Sequence, residues 1–205
     1  MNINMAPLLR DRRVKMLSEL LKSRQELLST IGTTFDSSFE EAVRLISGEV
    51  KNDNMLFFAG NGGSAAEAQH MSAEYLATLD HRNIRPGIKA LALTVDTSFI
   101  TAWTNDFGYE DVFLRQLQTL ACSGDVFFAY STSGNSPNII KAVEYASKSE
   151  VATIGFTGNK GGKMAVMCDV CFIVPSLSTA LIQEVHTMLG HEICGAVENM
   201  LKLGK

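Results

Sequence analysis

The sequence places a histidine and a glutamate four residues apart in a segment with a helical pattern. His70 and Glu74 share one face of an α-helix, because each residue turns the chain by about 100°. A second helical segment near the end of the chain carries Gln183 and His191, which lie about 80° apart on the helical wheel. Imidazole nitrogens with carboxylate and amide oxygens are ligands that zinc accepts. These four side chains form a candidate metal and acid–base set.

Each of these four residues, taken alone, is more typical of an ordinary polar position on a helix surface or at a helix end. The remaining histidines, His81 and His186, keep that interpretation.

Two loops rich in serine and glycine follow apolar, strand-like segments. They are GNGGS at residues 60–64 and STSGNS at residues 131–136, and Pro137 follows the second at a helix start, a position that proline favours. Glycines let successive N–H groups turn toward an anion, and the next helix adds the positive end of its dipole. Hydroxyl groups add further donors from Ser64, Ser131, Thr132, Ser133 and Ser136.

Neither loop matches a Walker loop or a Rossmann fingerprint. One such loop could be only a turn that begins a helix. Two of them after two different strands favour a phosphate site, since ligands bind beyond the carboxyl ends of strands in an α/β sheet.

Short apolar runs alternate with helical patterns along the chain, as they must to position these loops. The runs are near-continuously apolar, as expected for strands covered on both faces, and they occupy residues 55–59, 88–93, 126–131, 151–156 and 170–174. Helical patterns lie near residues 64–77, 98–104, 110–121, 137–148, 162–167 and 179–201. This alternation predicts an α/β fold with a doubly wound parallel sheet.

The first fifty residues predict two amphipathic helices. Their apolar residues follow a three-four spacing, from Leu17 to Ile31 and from Phe39 to Val50, with a break between Gly32 and Asp36. Such a stripe needs a partner surface, either the body of the domain or another subunit. The length of 205 residues and the absence of a Pro/Gly-rich linker predict a single domain over 1–205, with a helical pair at 1–51 and an α/β body at 52–205.

The composition is that of an ordinary globular protein, with 46% hydrophobic and 20% charged residues. A net charge of −4 gives no electrostatic footprint for nucleic acid, so an anionic ligand must be held locally. The N-terminus lacks the apolar core of a secretory signal, and no apolar run approaches the roughly 20 residues that span a bilayer. We expect a cytoplasmic protein with neither a nucleic-acid nor a membrane partner.

Two of the four cysteines form a CxxC pair. Cys168 and Cys171 lack the second pair of soft ligands that a structural zinc site normally needs. Cys171 also lies in a strand-like run, where residues three apart point to opposite faces. We therefore expect buried, reduced thiols.

Five segments, in this order and at this spacing, resemble the sedoheptulose 7-phosphate isomerase (phosphoheptose isomerase) family of the sugar isomerase (SIS) domain superfamily. They are GNGGSAAEAQHMSAEYL, WTNDFGYEDVF, STSGNS, GFTGNKGGKMA and LIQEVHTMLGH. The resemblance covers nearly the whole chain, including the N-terminal helical pair. STSGNS is typical of the whole superfamily, whereas HxxxE combined with QxxxxxxxH is more specific to the isomerase branch.

The resemblance implies a five-stranded parallel sheet flanked by helices and a homotetramer with active sites between subunits. The implied reaction converts sedoheptulose 7-phosphate to D-glycero-D-manno-heptose 7-phosphate through an enediol, with one Zn²⁺ in each active site. The zinc-binding positions of the family match His70, Glu74, Gln183 and His191. Glu74 and His191 also match its acid–base positions, and we expect Glu74 as base and His191 as acid.

The substrate-contacting positions of the family match residues in both loops, in the WTNDFGYEDVF segment and in the last helix. They are Asn61, Gly62, Gly63, Asn105, Asp106, Ser131, Thr132, Ser133, Ser136 and Gln183. We expect Ser64, His70 and Glu74 to line the same substrate site.

Two departures from the family leave the exact sugar phosphate open. Many members carry an aspartate three residues before the glutamine, where this chain has Ala180, and many have Gly-Arg after the glutamate, where it has Leu76-Ala77-Thr78. The alternatives are an isomerase of another sugar phosphate and a non-catalytic SIS-domain binding or regulatory protein. One such branch binds a replication initiator and lacks counterparts of Glu74 and His191, so their presence favours an enzyme.

Overall fold

The computed structural model describes residues 17–82 and 84–201, in which five strands alternate with helices. The strands are β1 Leu56–Ala59, β2 Ala90–Ala92, β3 Val126–Tyr130, β4 Ala152–Gly158 and β5 Val170–Val174. The helices are α1 Leu17–Thr34, α2 Asp36–Lys51, α3 Gly63–Leu76, α4 Thr97–Phe107, α5 Val112–Leu120, α6 Pro137–Lys148 and α7 Thr179–Leu201. Two 3-10 turns lie at Tyr109–Asp111 and Lys163–Val166.

All five strands are parallel, in the order β2-β1-β3-β4-β5. The chain leaves β1 toward β2 on one side and returns to β3 on the other, so the winding direction reverses between β1 and β3. Such a switch point opens a crevice at the carboxyl ends of the two strands. The loops at 60–64 and 131–136 follow these two strands, which places both at the crevice.

The sheet is covered on both faces, which confirms the predicted doubly wound α/β fold. Successive side chains in a strand point to opposite faces. Phe58 and Phe128 accordingly stack, with ring centroids 4.4 Å apart, in a core formed with α2, α3 and α7. Phe57 and Phe127 point the other way, into a core formed with α5 and α6.

Three predicted helices differ from the observed ones. The helix predicted near 162–167 is only the 3-10 turn Lys163–Val166, because too few residues separate Gly162 from β5. The helix predicted near 110–121 is divided into a 3-10 turn and α5. The first helix continues through Gly32 to Thr34, so the break falls later than expected.

The N-terminal pair of helices is present within the described residues, and the part of the prediction at 1–16 lies outside them. Helix α2 buries Ala42, Val43 and Ile46 in the core. In α1, Ile31 is buried, whereas Leu17 and Leu21 remain exposed. The apolar stripe of α1 is therefore only partly covered within one chain. The assignment of 1–205 to a single domain stays a prediction.

None of the helices within residues 17–82 and 84–201 combines the length and apolar character needed to cross a membrane.

The expected burial and orientation of the cysteines need correction. Cys194 is buried, but Cys122 is exposed, and Cys168 and Cys171 are half-buried. The side chains of Cys168 and Cys171 do not point to opposite faces, since both sulfur atoms lie over Gly155. The prediction assumed a strand at both positions, whereas Cys168 precedes β5 and lies in a bend.

Candidate active site

Helices α3 and α7 pack against each other and bring together three of the four predicted metal ligands. His70 Nε2 lies 2.7 Å from His191 Nε2 and 3.8 Å from Glu74 Oε1. One ligand atom from each residue lies within 4.8 Å of the others. The spacing of four residues on α3 and the crossing of α7 thus give two imidazoles and a carboxylate, a donor set that suits zinc. All three side chains come from one chain.

Gln183, the fourth predicted ligand, lies against the first loop. A Cβ atom at Gly63 would lie only 2.6 Å from Gln183 Nε2, so the absence of a side chain at position 63 permits this approach. Gln183 and His70 border the same open groove of about 510 Å³. The residues that line it are Gly63, Ala66, Glu67, His70, Ala180, Gln183, Glu184 and Thr187.

The first loop turns sharply from β1 into α3. Gly62 has a φ of +57°, which strongly favours glycine, and Asn61 O accepts a hydrogen bond from the backbone N–H of Ser64 at 3.0 Å. Ser64 is buried at the start of α3. Gly62 and Gly63 are exposed, so their backbone can reach a ligand beside the helix N-terminus.

The second loop gathers three hydroxyl groups at the end of β3. Ser131 Oγ lies 2.9 Å from Ser136 Oγ and 3.4 Å from Ser133 Oγ. Thr132 is half-buried, and its carbonyl oxygen accepts from the N–H of Gly158. Helix α6 begins directly afterwards at Pro137, as predicted. Clustered hydroxyls at a helix N-terminus suit an anion such as a phosphate.

A hydrogen-bond network fixes Asn61 between the two loops. The amides of Asn61 and Asn138 pair through two bonds of 2.9 Å each, and the hydroxyl of Tyr109 donates to Asn61 Oδ1 at 2.8 Å. Asn138 is buried at the start of α6, whereas Tyr109 is partly exposed. Sequence reasoning missed Asn138 and Tyr109, although both lie within or next to the quoted motifs.

Glu67 is a further acidic group beside the histidines that sequence reasoning missed. It is buried, and its Oε2 accepts a hydrogen bond of 2.5 Å from the Thr187 hydroxyl. Burial raises the pKa of the Glu67 carboxyl, while the hydrogen bond and the nearby His70 and His191 act in the opposite direction. Its spacing from His70 and Glu74, three and seven residues on one helix, was the available signal.

The predicted substrate contacts Asn105 and Asp106 are not joined to either loop. Both side chains are exposed on α4, and they hydrogen-bond to each other at 2.7 Å. Within the described residues, no hydrogen bond connects them to positions 60–64 or 131–136. The segment that follows α4 reaches the first loop only through Tyr109.

A buried ion pair links the C-terminal end of α3 to α7. Arg85 Nε lies 2.6 Å from Glu198 Oε1, and the Arg85 side chain is fully buried. The guanidinium also donates to the carbonyl oxygens of Glu74 and Tyr75, each at 2.9 Å. Because it satisfies carbonyls that a helix end leaves free, Arg85 fixes the end of the helix that carries the histidine–glutamate pair.

The remaining histidines lie apart from this cluster. His81 is exposed, as expected. His186 is buried, contrary to its interpretation as an ordinary surface or helix-end residue, and its Nε2 pairs with Thr157 O at 3.2 Å. Burial lowers the pKa of His186 to about 4.

Comparison with known proteins identifies the family. A model described as the SIS domain matches residues 20–158. The chain is 50% identical over 151 residues to phosphoheptose isomerase 2 of Campylobacter jejuni, covering 74% of each chain. It is 44% identical over 186 residues to the phosphoheptose isomerase of Sulfurimonas denitrificans, covering 90% of this chain and 94% of the relative.

A solved structure supports the same assignment. The phosphoheptose isomerase of Neisseria gonorrhoeae superposes with a TM-score of 0.83 at 36% identity, covering 89% of this chain and 97% of that one. The five-strand sheet and the flanking helices are therefore those of this family. The chain belongs to the phosphoheptose isomerase family of SIS-domain proteins.

Proposed function

We propose that this protein is a phosphoheptose isomerase that converts sedoheptulose 7-phosphate to D-glycero-D-manno-heptose 7-phosphate. The observation that carries the proposal is the convergence of His70, Glu74 and His191, within 4.8 Å of one another, in a chain 50% identical to a phosphoheptose isomerase. The alternative of a non-catalytic binding protein has no need for this cluster.

The reaction moves a proton between neighbouring carbons through an enediol. It requires a base near one carbon and an acid near the carbonyl oxygen. We assign Glu74 as the base and His191 as the acid, because they lie on facing helices and both contribute to one cluster with His70. The phosphate of the substrate would lie at the switch point, held by the backbone N–H groups after β1 and the hydroxyls of Ser131, Ser133 and Ser136.

The same cluster is our proposed zinc site. His70, Glu74 and His191 would hold Zn²⁺, with Gln183 as a fourth ligand from the border of the groove. Bound there, the ion would supply positive charge where the enediolate develops. A coordinated carboxylate is a weaker base, so Glu74 would either coordinate the ion loosely or serve the two roles in alternation. Glu67 is a second carboxyl beside this cluster, and burial raises its pKa.

We further propose a cytoplasmic homotetramer with active sites between subunits. The exposed leucines of α1, among them Leu17, Leu21 and Leu28, form an apolar face that a second copy of the chain would cover. The groove beside His70 is open on one side, which leaves room for a neighbouring subunit to complete it. A cytoplasmic location suits a phosphorylated sugar substrate.

A second candidate substrate follows from Ala180. This residue lines the groove at the position where the family resemblance implies an aspartate in many members, so a different ketose phosphate could fit there. The test is to incubate purified protein with sedoheptulose 7-phosphate and with shorter ketose phosphates, each with and without a metal chelator. We expect the fastest aldose formation from the heptulose and loss of the rate with chelator. Aldose formation only from a shorter ketose phosphate would assign that compound as the substrate. An absence of turnover with every ketose phosphate would refute the proposal that the protein is an isomerase.

A further inference from the structure

Gly155 lies within β4, the strand between β3 and β5. It pairs with Ala129 of β3 and Cys171 of β5. Glycine inside a strand often marks a place where another group approaches the backbone closely. Here two sulfur atoms do so, because a Cβ at position 155 would lie 2.8 Å from Cys168 Sγ and 3.1 Å from Cys171 Sγ.

The bend before β5 brings the two thiols together. Asp169, between them, accepts hydrogen bonds of 2.7 Å from both the backbone N–H and the hydroxyl of Thr153, and its own N–H donates to that hydroxyl. This anchoring directs Cys168 back over the face of β4 that Cys171 also covers. Both thiols are half-buried, so part of each side chain remains open to solvent.

The two thiols are chemically unequal. The interaction between them raises the pKa of Cys168 and lowers that of Cys171. The thiolate is the attacking form in thiol–disulfide exchange. This difference favours Cys171 as the attacking residue and Cys168 as the one that resolves the mixed disulfide.

We propose that Cys168 and Cys171 form a reversible intramolecular disulfide, with a glutathione-type disulfide as the oxidant. The Cys171 thiolate attacks one sulfur of oxidised glutathione, and one glutathione thiolate leaves. Cys168 then loses its proton and attacks Cys171 Sγ, which releases the second glutathione. In sum, two protein thiols lose two protons and two electrons, and one glutathione disulfide becomes two glutathione thiols.

The disulfide would act on the second loop through the 3-10 turn Lys163–Val166. The N–H of Cys168 donates to Met164 O at 3.2 Å, and the N–H of Met164 donates to Gly134 O at 3.1 Å. The N–H of Lys163 donates to Asn135 Oδ1 at 3.1 Å. Formation of the disulfide moves Cys168 toward Cys171 and displaces this turn. Oxidation therefore disturbs the hydrogen bonds between the turn and the second loop, which we propose holds the phosphate.

The test equilibrates the native protein with mixtures of reduced and oxidised glutathione, quenches with acid and alkylates the remaining thiols. Of the four thiols, two should resist alkylation, with a mass loss of about 2 Da that a dithiol reverses. The matched control Cys122→Ser removes an exposed thiol and should keep this behaviour. Cys168→Ser should instead stop at a glutathione adduct on Cys171, whereas Cys171→Ser should form no adduct at position 168.

Full alkylation of Cys168 and Cys171 under oxidising mixtures would overturn the proposal, as would a stable glutathione adduct on either of these two residues in the native protein. The effect on the loop rests on the proposed function. For the proposed isomerase reaction, oxidation should raise the KM for sedoheptulose 7-phosphate severalfold in the native protein. The same treatment should leave the KM of Cys171→Ser unchanged. An unchanged KM would refute the link to the loop, while the thiol count is independent of whether the protein is an isomerase.

Discussion

The Nε2 atoms of His70 and His191 lie 2.7 Å apart, although 121 residues separate them in the sequence. The two ring nitrogens come this close because α3 and α7 pack against each other, and Glu74 adds a carboxylate oxygen 3.8 Å from His70 Nε2. Two imidazoles and a carboxylate with this convergence form a site for one divalent cation more readily than three separate surface groups would.

Removal of one imidazole should therefore abolish stoichiometric zinc binding. We expect His191→Ala to lose bound zinc in equilibrium dialysis followed by elemental analysis, while the native protein keeps one ion per chain. His81→Ala, which removes an exposed histidine outside the cluster, is the matched control and should bind like the native protein. Equal zinc content in His191→Ala and the native protein would refute the proposed ligand set.

Breaking the ion pair between Arg85 and Glu198 should destabilise the fold strongly. Arg85→Met leaves the mostly buried Glu198 carboxylate without its charged partner, although the N–H of Leu79 still donates to it, and loss of such a partner typically costs about 3–5 kcal/mol. Urea unfolding measures this loss. Arg82→Met, which removes the exposed pair with Asp80, should change the free energy of unfolding little. A similar small effect for both variants would show that the buried pair does not stabilise the end of α3.

The hydroxyl of Tyr109 should contribute to substrate binding through Asn61. Tyr109→Phe removes one neutral hydrogen bond, worth about 1 kcal/mol, and should raise the KM about fivefold with little change in kcat. Tyr145→Phe is the control, because the Tyr145 hydroxyl makes no hydrogen bond within the described part of the chain. A KM equal to that of the native enzyme would show that the hydrogen bond from Tyr109 to Asn61 does not contribute to substrate binding.

His186 should make the protein less stable in mild acid. Above pH 6.5 the imidazole is neutral in both the folded and the unfolded chain. Between pH 6.5 and about 4, the imidazole binds a proton in the unfolded chain but stays neutral in the folded protein. The free energy of unfolding therefore falls as pH falls. Over this range the free energy of unfolding should fall by about 3 kcal/mol, at 1.36 kcal/mol per pH unit.

Urea unfolding at pH 7.5 and 4.5 checks this pH dependence. His186→Gln keeps a donor for Thr157 O but cannot take up a proton in this range, so it should lose less stability between the two pH values than the native protein. The same loss in both proteins would show that other groups cause the acid sensitivity.

Much of the fold and half of the site follow from local patterns in the sequence. The apolar runs predict the parallel sheet and the two Ser/Gly loops predict a ligand site at its carboxyl edge, because these features depend on neighbours within a few residues. The strand order, and with it the switch point, came only from the structure. His70 and Glu74 are predicted for the same reason. Their approach to His191 depends on how α3 and α7 cross, which no local spacing determines.

The residues that sequence reasoning missed depend on long-range contacts or on local irregularity. Arg85 meets Glu198 and Tyr109 meets Asn61 only once the chain has folded, so neither pair leaves a periodic signal. The orientation of Cys168 was predicted wrongly because the rule for strands was applied across a bend. Glu67 differs from these residues, because its spacing of three residues from His70 is a local helical signal in the sequence.

The role of Glu74 as the base is tested by the turnover of sedoheptulose 7-phosphate in Glu74→Gln, with Glu67→Gln as the comparison. The substitution keeps the size of the side chain but removes the base, so with an unchanged urea-unfolding curve we expect the rate of aldose formation to fall about a hundredfold to ten-thousandfold. Glu67→Gln should keep measurable turnover. A native rate in Glu74→Gln would contradict the account, because the carboxylate at the centre of the cluster would then take no part in the reaction.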